Sequence, residues 1–219
     1  MADKMETASA NSTLAFHTVP LFGGALPCSL PTTFLDVSEL RQVPDTQEVF
    51  LERDGFTSIV FDVLERVEES HSSAPSGRNV NASQADQSAL QTHLEDVVEG
   101  TEGVAGVKVW ERESAEATTF AEGTPVFNII ATMPPGEKQQ SDHNKADFVA
   151  VLLTLIRLEK QITDLVVTIN VPHVEGEYDS DGVDLDQGKR GELIERGAEV
   201  RKRVLETLVV TDWDLFVQD

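Results

Sequence analysis

The sequence predicts an α+β fold: a curved, mostly antiparallel sheet of about six strands with helices packed on its faces. Three observations carry this. Short runs of β-branched and aromatic residues recur, several paired across turn signals. Two segments, 83–98 and 192–209, keep a helical period instead. A chain of 219 residues with 40% hydrophobic content is long enough for one real core and short for two.

The elements follow in order. Residues 1–14 are small and polar and are expected to be a disordered tail before a single domain over 15–219. Phe16 to Leu30 reads as two short strands around Gly23-Gly24, whose backbone freedom suits a tight bend. Pro31 ends the apolar run. Asp36 to Arg41 reads as one helical turn capped by Asp36 or Ser38, and Pro44-Asp45 starts another turn. Gln47–Glu52 and Ser58–Leu64 read as strands joined at Arg53-Asp54-Gly55. Ser58–Leu64 could also start a helix, but Ile59, Val60, Phe61 and Val63 favour strand. In a helix Asp62 and Glu65 share a face; in a strand they alternate.

Residues 68–82 form a mobile loop by composition, a flexible insertion. Ser83 opens a helix, with Asp86 three residues on as the second half of a capping box. Leu90, Leu94, Val97 and Val98 give it an apolar face, and Gly100 and Gly103 end it. Val107–Glu111 and Val126–Met133 are predicted strands, followed by the break Pro134-Pro135-Gly136 and a polar loop over 137–145. Phe148–Leu158 and Thr163–Val171 make the strongest pair. Their near-continuous apolar runs predict central strands covered on both faces, with Leu153, Leu155, Val166 and Val167 buried, and Pro172 should stop the second strand.

Residues 173–190 are acidic and glycine-rich. Asp179-Ser180-Asp181-Gly182 lacks the glycine and glutamate placement of a calcium loop, so a second flexible insertion is expected, one that could be shortened at little cost. From Glu192 the helical period returns with Leu193, Gly197, Val200, Val204 and Leu208. Glu192–Arg196 and Glu199–Arg203 are spaced for pairing on its outer face. Trp213, Leu215 and Phe216 should tuck back onto the core.

Charge bounds the partners. A net charge of −22 argues against nucleic acid and anionic membranes; it favours a basic protein partner, or high solubility. Cys28 is the single cysteine, which excludes an internal disulfide and fits a reducing compartment; its apolar setting predicts an inert buried thiol. The N-terminus lacks a signal-peptide pattern. The longest apolar stretch, 148–158, is too short to span a bilayer and contains Thr154 and Arg157. The five histidines are scattered, and no zinc, phosphate-loop, dinucleotide or nucleophile-elbow motif is present, so no metal or cofactor is expected. Asp62 and Glu65 remain as a carboxylate pair that a hydrolase could use.

The densest chemistry lies between Leu21 and Glu69. Phe34 to Glu69 holds ten Asp or Glu against three Arg, interleaved with apolar residues. In this stretch LFGGAL, DVSELRQVPDTQEVF and IVFDVLE follow one another, and LLTLIRLEKQITDLVVTINVP comes later. In that order these runs resemble the Ran guanine nucleotide release factor family, small nuclear-import proteins. The resemblance implies the same α+β architecture, binding to the small GTPase Ran, and loosening of its guanine nucleotide without covalent chemistry. It implies a nuclear protein, partly cytoplasmic, and a monomer is expected. Its partner surface, carried over, falls on Asp36, Ser38, Asp62 and Glu65, with Glu39, Asp45 and Glu48 from the same motif. The alternatives from the residues are a carboxylate-dependent hydrolase and an acidic scaffold without exchange activity.

Overall fold

A computed structural model describes residues 14–38, 43–68, 82–99, 106–135 and 145–216. Most of the expected tail, the 68–82 loop and the polar loop after Pro135 lie outside these residues, as do Gly100 and Gly103. Strands β1 (Phe16–Leu21) and β2 (Leu26–Pro31) form a separate hairpin. Seven strands form one sheet: β3 (Phe34–Asp36), β4 (Gln47–Glu52), β5 (Ser58–Glu65), β6 (Lys108–Ala115), β7 (Val126–Met133), β8 (Ala146–Leu158) and β9 (Thr163–Val174). Their order across the sheet is β3-β4-β5-β9-β8-β7-β6, antiparallel at every step. Two helices, α1 (Ala82–Glu99) and α2 (Gly191–Thr207), cover opposite faces.

The central pair is as expected. Along β8, Val149, Val151, Leu153 and Leu155 pack with Leu90, Leu94 and Val98 of α1. The alternate residues Ala150, Leu152 and Ile156 pack with the β1–β2 hairpin and with Ile194, Val200 and Val204 of α2. A strand covered on both sides can be apolar at every position. Leu153, Leu155, Val166 and Val167 are all buried in adjacent antiparallel strands. Gly197 lets α2 close on the sheet: a Cβ there would stand 3.3 Å from both Leu152 Cδ2 and Val171 Cγ2.

Several expectations change. Strand β3 has no sequence signal, because three residues carry no legible period; it ends at Asp36, the expected cap, and residues 39–41 of the expected helical turn lie outside the described residues. Pro172 does not stop β9, and it pairs with Val149. The reason is geometric. Strand β5 pairs with β9 only up to Asn170, so beyond that one side of β9 is open. The Glu175 amide donates to Lys145 O on the β8 side, and strand alternation turns the Pro172 nitrogen to the open side. No ladder bond is lost there.

The 173–190 stretch, expected as a flexible insertion, therefore begins inside β9. His173 and Val174 are buried, and His173 stacks on Phe148 at 4.1 Å between ring centroids. Two short 3-10 turns, 180–182 and 185–187, and a bridge between Asp184 and Lys189 carry the chain to α2. On α2, Arg196 pairs with Glu52 at 3.5 Å rather than with Glu192, and Arg203 with Glu206 at 3.7 Å rather than with Glu199. Phe216 does return to the core, but Trp213 stays exposed.

Asp86, the expected capping-box residue, is engaged by a cation from the sheet. Its carboxylate receives Arg157 Nη1 at 2.7 Å. Arg157 is buried and donates also to Asp164 Oδ1 at 3.0 Å and to the Val67 carbonyl at 2.6 Å. Asp164 Oδ2 accepts from the Val67 amide at 3.0 Å and from His93 Nε2 at 2.9 Å. Burial pushes the Asp164 pKa up, but the bonds from His93 and Val67 and the Arg157 charge outweigh it, so the net shift is downward.

Three outcomes follow from this packing. Arg157→Ala should cost about 3–5 kcal/mol, read as a drop in urea midpoint, because two buried carboxylates lose their cation. A folded-state pKa below the unfolded one stabilises above the unfolded value and is lost as pH falls through the folded value. A carboxyl NMR titration should therefore find Asp164 ionised below the ordinary Asp value of about 3.9, with its share of the stability lost only below that. Replacing 173–190 with a short Gly/Ser link should clearly lower the urea midpoint, since it removes His173 and Val174 from the core.

Candidate functional site

The antiparallel meander gathers the acidic stretch at one rim of the sheet. The end of β3, the start of β4 and the end of β5 lie together there, because each strand reverses the last. Asp36 pairs with Phe50, Gln47 with Asp62, and the Val63 amide donates to Thr46 O at 2.8 Å. Asp36, Ser38, Asp45, Glu48, Asp62 and Glu65 thus share this rim; Glu39 lies outside the described residues.

Asp36 organises a turn. Its Oδ1 accepts from the Ser38 amide at 2.9 Å and from Ser38 Oγ at 2.6 Å. Ser38 Oγ accepts in turn from the Val49 amide at 3.0 Å, tying the turn to β4. Asp36 and Asp45 are exposed, and Ser38 is half-buried.

The pleat divides the remaining carboxylates. Glu48 lies opposite Phe61, whose side chain packs on the α2 side. Asp62 falls on the other face, where Gln47 Nε2 donates to its Oδ1 at 2.7 Å. Asp62 is half-buried, and that burial raises its pKa against the opposing effects of Gln47 and His93. Glu65, in phase with Phe61 and Val63, is exposed at the strand end. Asp62 and Glu65 accordingly do not converge.

Beside the rim lies a groove of about 510 Å3, lined by Phe22, Ser38, Pro44, Asp45, Glu48 and Leu215 among others. Its lining holds no Lys or Arg among the described residues. Phe22 adopts a left-handed backbone, φ 49°, and its amide donates to Glu48 Oε1 at 2.6 Å. Burial raises the Glu48 pKa; the Phe22 amide opposes this and nearby Asp36 adds to it. Leu215 arrives from the far end of the chain. Thr211 holds that segment by bonds to Ala25 O at 2.9 Å and Gly24 O at 2.7 Å.

The surface can accept hydrogen bonds from cationic donors and can bury a small apolar group. Cys28 is no activated nucleophile: it is buried, and burial with the Glu48 charge pushes its thiol up to about 12. Among the described residues no group of three His, Cys, Asp or Glu side chains could hold a metal. The sequence points Leu215 back toward the core, where it packs, but places neither Phe22 nor Leu215 at this surface. The adjacent Gly-Gly marked a bend at Phe22, but only tertiary contact joins it to Leu215.

Comparisons with known proteins agree on one family. The family described as "Ran-interacting Mog1 protein" matches residues 19–172. The nuclear import protein MOG1 of Saccharomyces cerevisiae is 32% identical over 165 residues, covering 70% of this chain but only 65% of that protein, just under two thirds. The Ran guanine nucleotide release factor of Homo sapiens is 32% identical over 157 residues, covering 70% of this chain and 74% of its own length. The crystal structure of the Saccharomyces cerevisiae Ran-binding protein Mog1p superposes with a TM-score of 0.65 at 26% identity, covering 94% of this chain and 100% of that one. With the family match spanning well over half the sequence and the fold shared across nearly its whole length, this chain belongs to the Mog1 family.

Proposed function

We propose that this chain binds the small GTPase Ran and promotes release of its guanine nucleotide, in support of nuclear protein import. The observation that carries the reading is the acidic rim, with its adjoining groove that has an apolar wall and, among the described residues, no lining Lys or Arg. Ran binding and nucleotide release are the properties that relatives in this family are named for. The exposed carboxylates Asp36, Asp45 and Glu65 would meet basic groups of the partner, with Ser38 beside them; Glu39, next in sequence, is proposed from the same motif. Asp62, tied to Gln47, would support the rim from behind.

The action needs no covalent step. A protein that binds the nucleotide-free GTPase more tightly than the loaded form weakens nucleotide binding by the same factor, through linkage. Carboxylates brought near the partner's phosphate-binding cations would compete with phosphate oxygens for them. The protein would act as a monomeric regulatory binder rather than a catalyst, in the nucleus and partly in the cytoplasm. A hydrolase built on Asp62 and Glu65 is disfavoured, because strand alternation sends the two side chains to opposite faces of β5.

The test is release of a fluorescent guanine nucleotide from Ran. Asp45→Lys combined with Glu65→Lys should leave the circular dichroism spectrum unchanged and alter stability by no more than about 0.5 kcal/mol, both sites being exposed. Release should slow by at least about tenfold through like-charge repulsion, and release by the native protein should weaken with added salt. A folded double variant with native release would remove the rim from the mechanism. Native protein that binds Ran without changing release would leave only a scaffold.

A further inference from the structure

Glu48 is placed among the rim carboxylates by sequence, but its geometry is of a different kind. Asp36, Asp45 and Glu65 are exposed, whereas Glu48 is half-buried and reaches 26 residues back along the chain to the Phe22 amide. The bond, 2.6 Å long, joins a carboxylate to the amide of a bulky residue in the left-handed region, φ 49°. That conformation is sparsely populated for any residue with a Cβ and persists only where surroundings hold it. The Phe22 carbonyl is occupied by the Ala25 amide at 3.2 Å, so both polar backbone groups of Phe22 are engaged in this turn. The same turn carries Gly24 and Ala25, whose carbonyls hold Thr211 and so the segment leading to Leu215. Phe22 and Leu215 form the apolar wall of the groove together with Val43 and Pro44.

We propose that Glu48 is a positioning residue for the partner groove: its carboxylate fixes the left-handed Phe22 turn, and through that turn the apolar wall, without itself contacting the partner. The proposal rests on the reading of this rim as the Ran surface. Glu48 also lines the groove, but its Oε1 is engaged by the Phe22 amide, so its function is that of an acceptor and not of an exposed charge. Burial, which disfavours its charged form, points the same way. An uncharged acceptor of the same shape should therefore replace it.

Glu48→Gln keeps the acceptor and removes the charge; Glu48→Ala removes both. Two readouts are needed. Hydrogen exchange of the Phe22 amide in the free protein should be near native in the Gln variant and at least about tenfold faster in the Ala variant. Nucleotide release from Ran should stay within about twofold of native for Gln and fall at least about tenfold for Ala. Equal loss of release in both variants, with Phe22 protected in Gln, would mean that Glu48 meets the partner by its charge, and the proposal fails. Unchanged Phe22 exchange in the Ala variant would also overturn it. If native protein releases no nucleotide, the partner reading falls and with it the groove's role, while the amide exchange still decides whether Glu48 holds the turn.

Discussion

Arg157 is the interaction on which the arrangement depends. It sits buried at the end of β8, one strand pair from Asp164 on β9, and reaches Asp86 on α1. An unpaired charge there would be too costly to bury, so each donor must find an oxygen. The third acceptor is the Val67 carbonyl, and the Val67 amide returns to Asp164. Val67 lies two residues past the end of β5. The cluster thus joins the central hairpin, the helix on one face and the exit of β5, which is where the acidic rim lies. Apolar contacts could hold α1 to the sheet by themselves, but they do not specify a register. A fork of fixed geometry between two carboxylates and a carbonyl does.

The same side-chain type serves two different ends in this molecule. Asp164 lies in a place where amide, imidazole and guanidinium outweigh desolvation, and its pKa falls. Asp62 and Glu48 have fewer compensating donors, and burial raises theirs. Asp36, Asp45 and Glu65 remain at the surface and supply the field that a basic partner would meet. A single net charge of −22 hides these three roles. What separates them is whether the sheet's pleat directs a side chain to a packed face, a half-covered face or the strand end.

The apolar component of the rim comes from elsewhere in the chain. Phe22 belongs to the turn of the β1–β2 hairpin and Leu215 to the last described segment, and both reach the groove because Thr211 is tied to Gly24 and Ala25. Under the proposed Ran binding such a mixture would serve both stages, since charge steers an encounter while a desolvated contact gives it residence.

The sequence by itself determined the α+β class, the two helical segments, the central hairpin and the stretch that carries the acidic surface. Each of these is written in a local period or a contiguous motif: alternation along 47–52, apolar runs at 148–158 and 163–171, and the run DVSELRQVPDTQEVF. Tertiary structure decided what no local pattern encodes. Pro172 stays within β9 because its neighbour β5 has already ended. Asp86 meets Arg157, 71 residues on, a partner that no local spacing announces. His93 looked like one of several scattered histidines until the fold brought Asp164 against it. Asp62 and Glu65 are near neighbours in sequence yet separate in space, and Glu48 turns inward to Phe22. The physical reason is common to all: these choices depend on which donor or open edge stands opposite, and that is fixed only when strands distant in sequence pair.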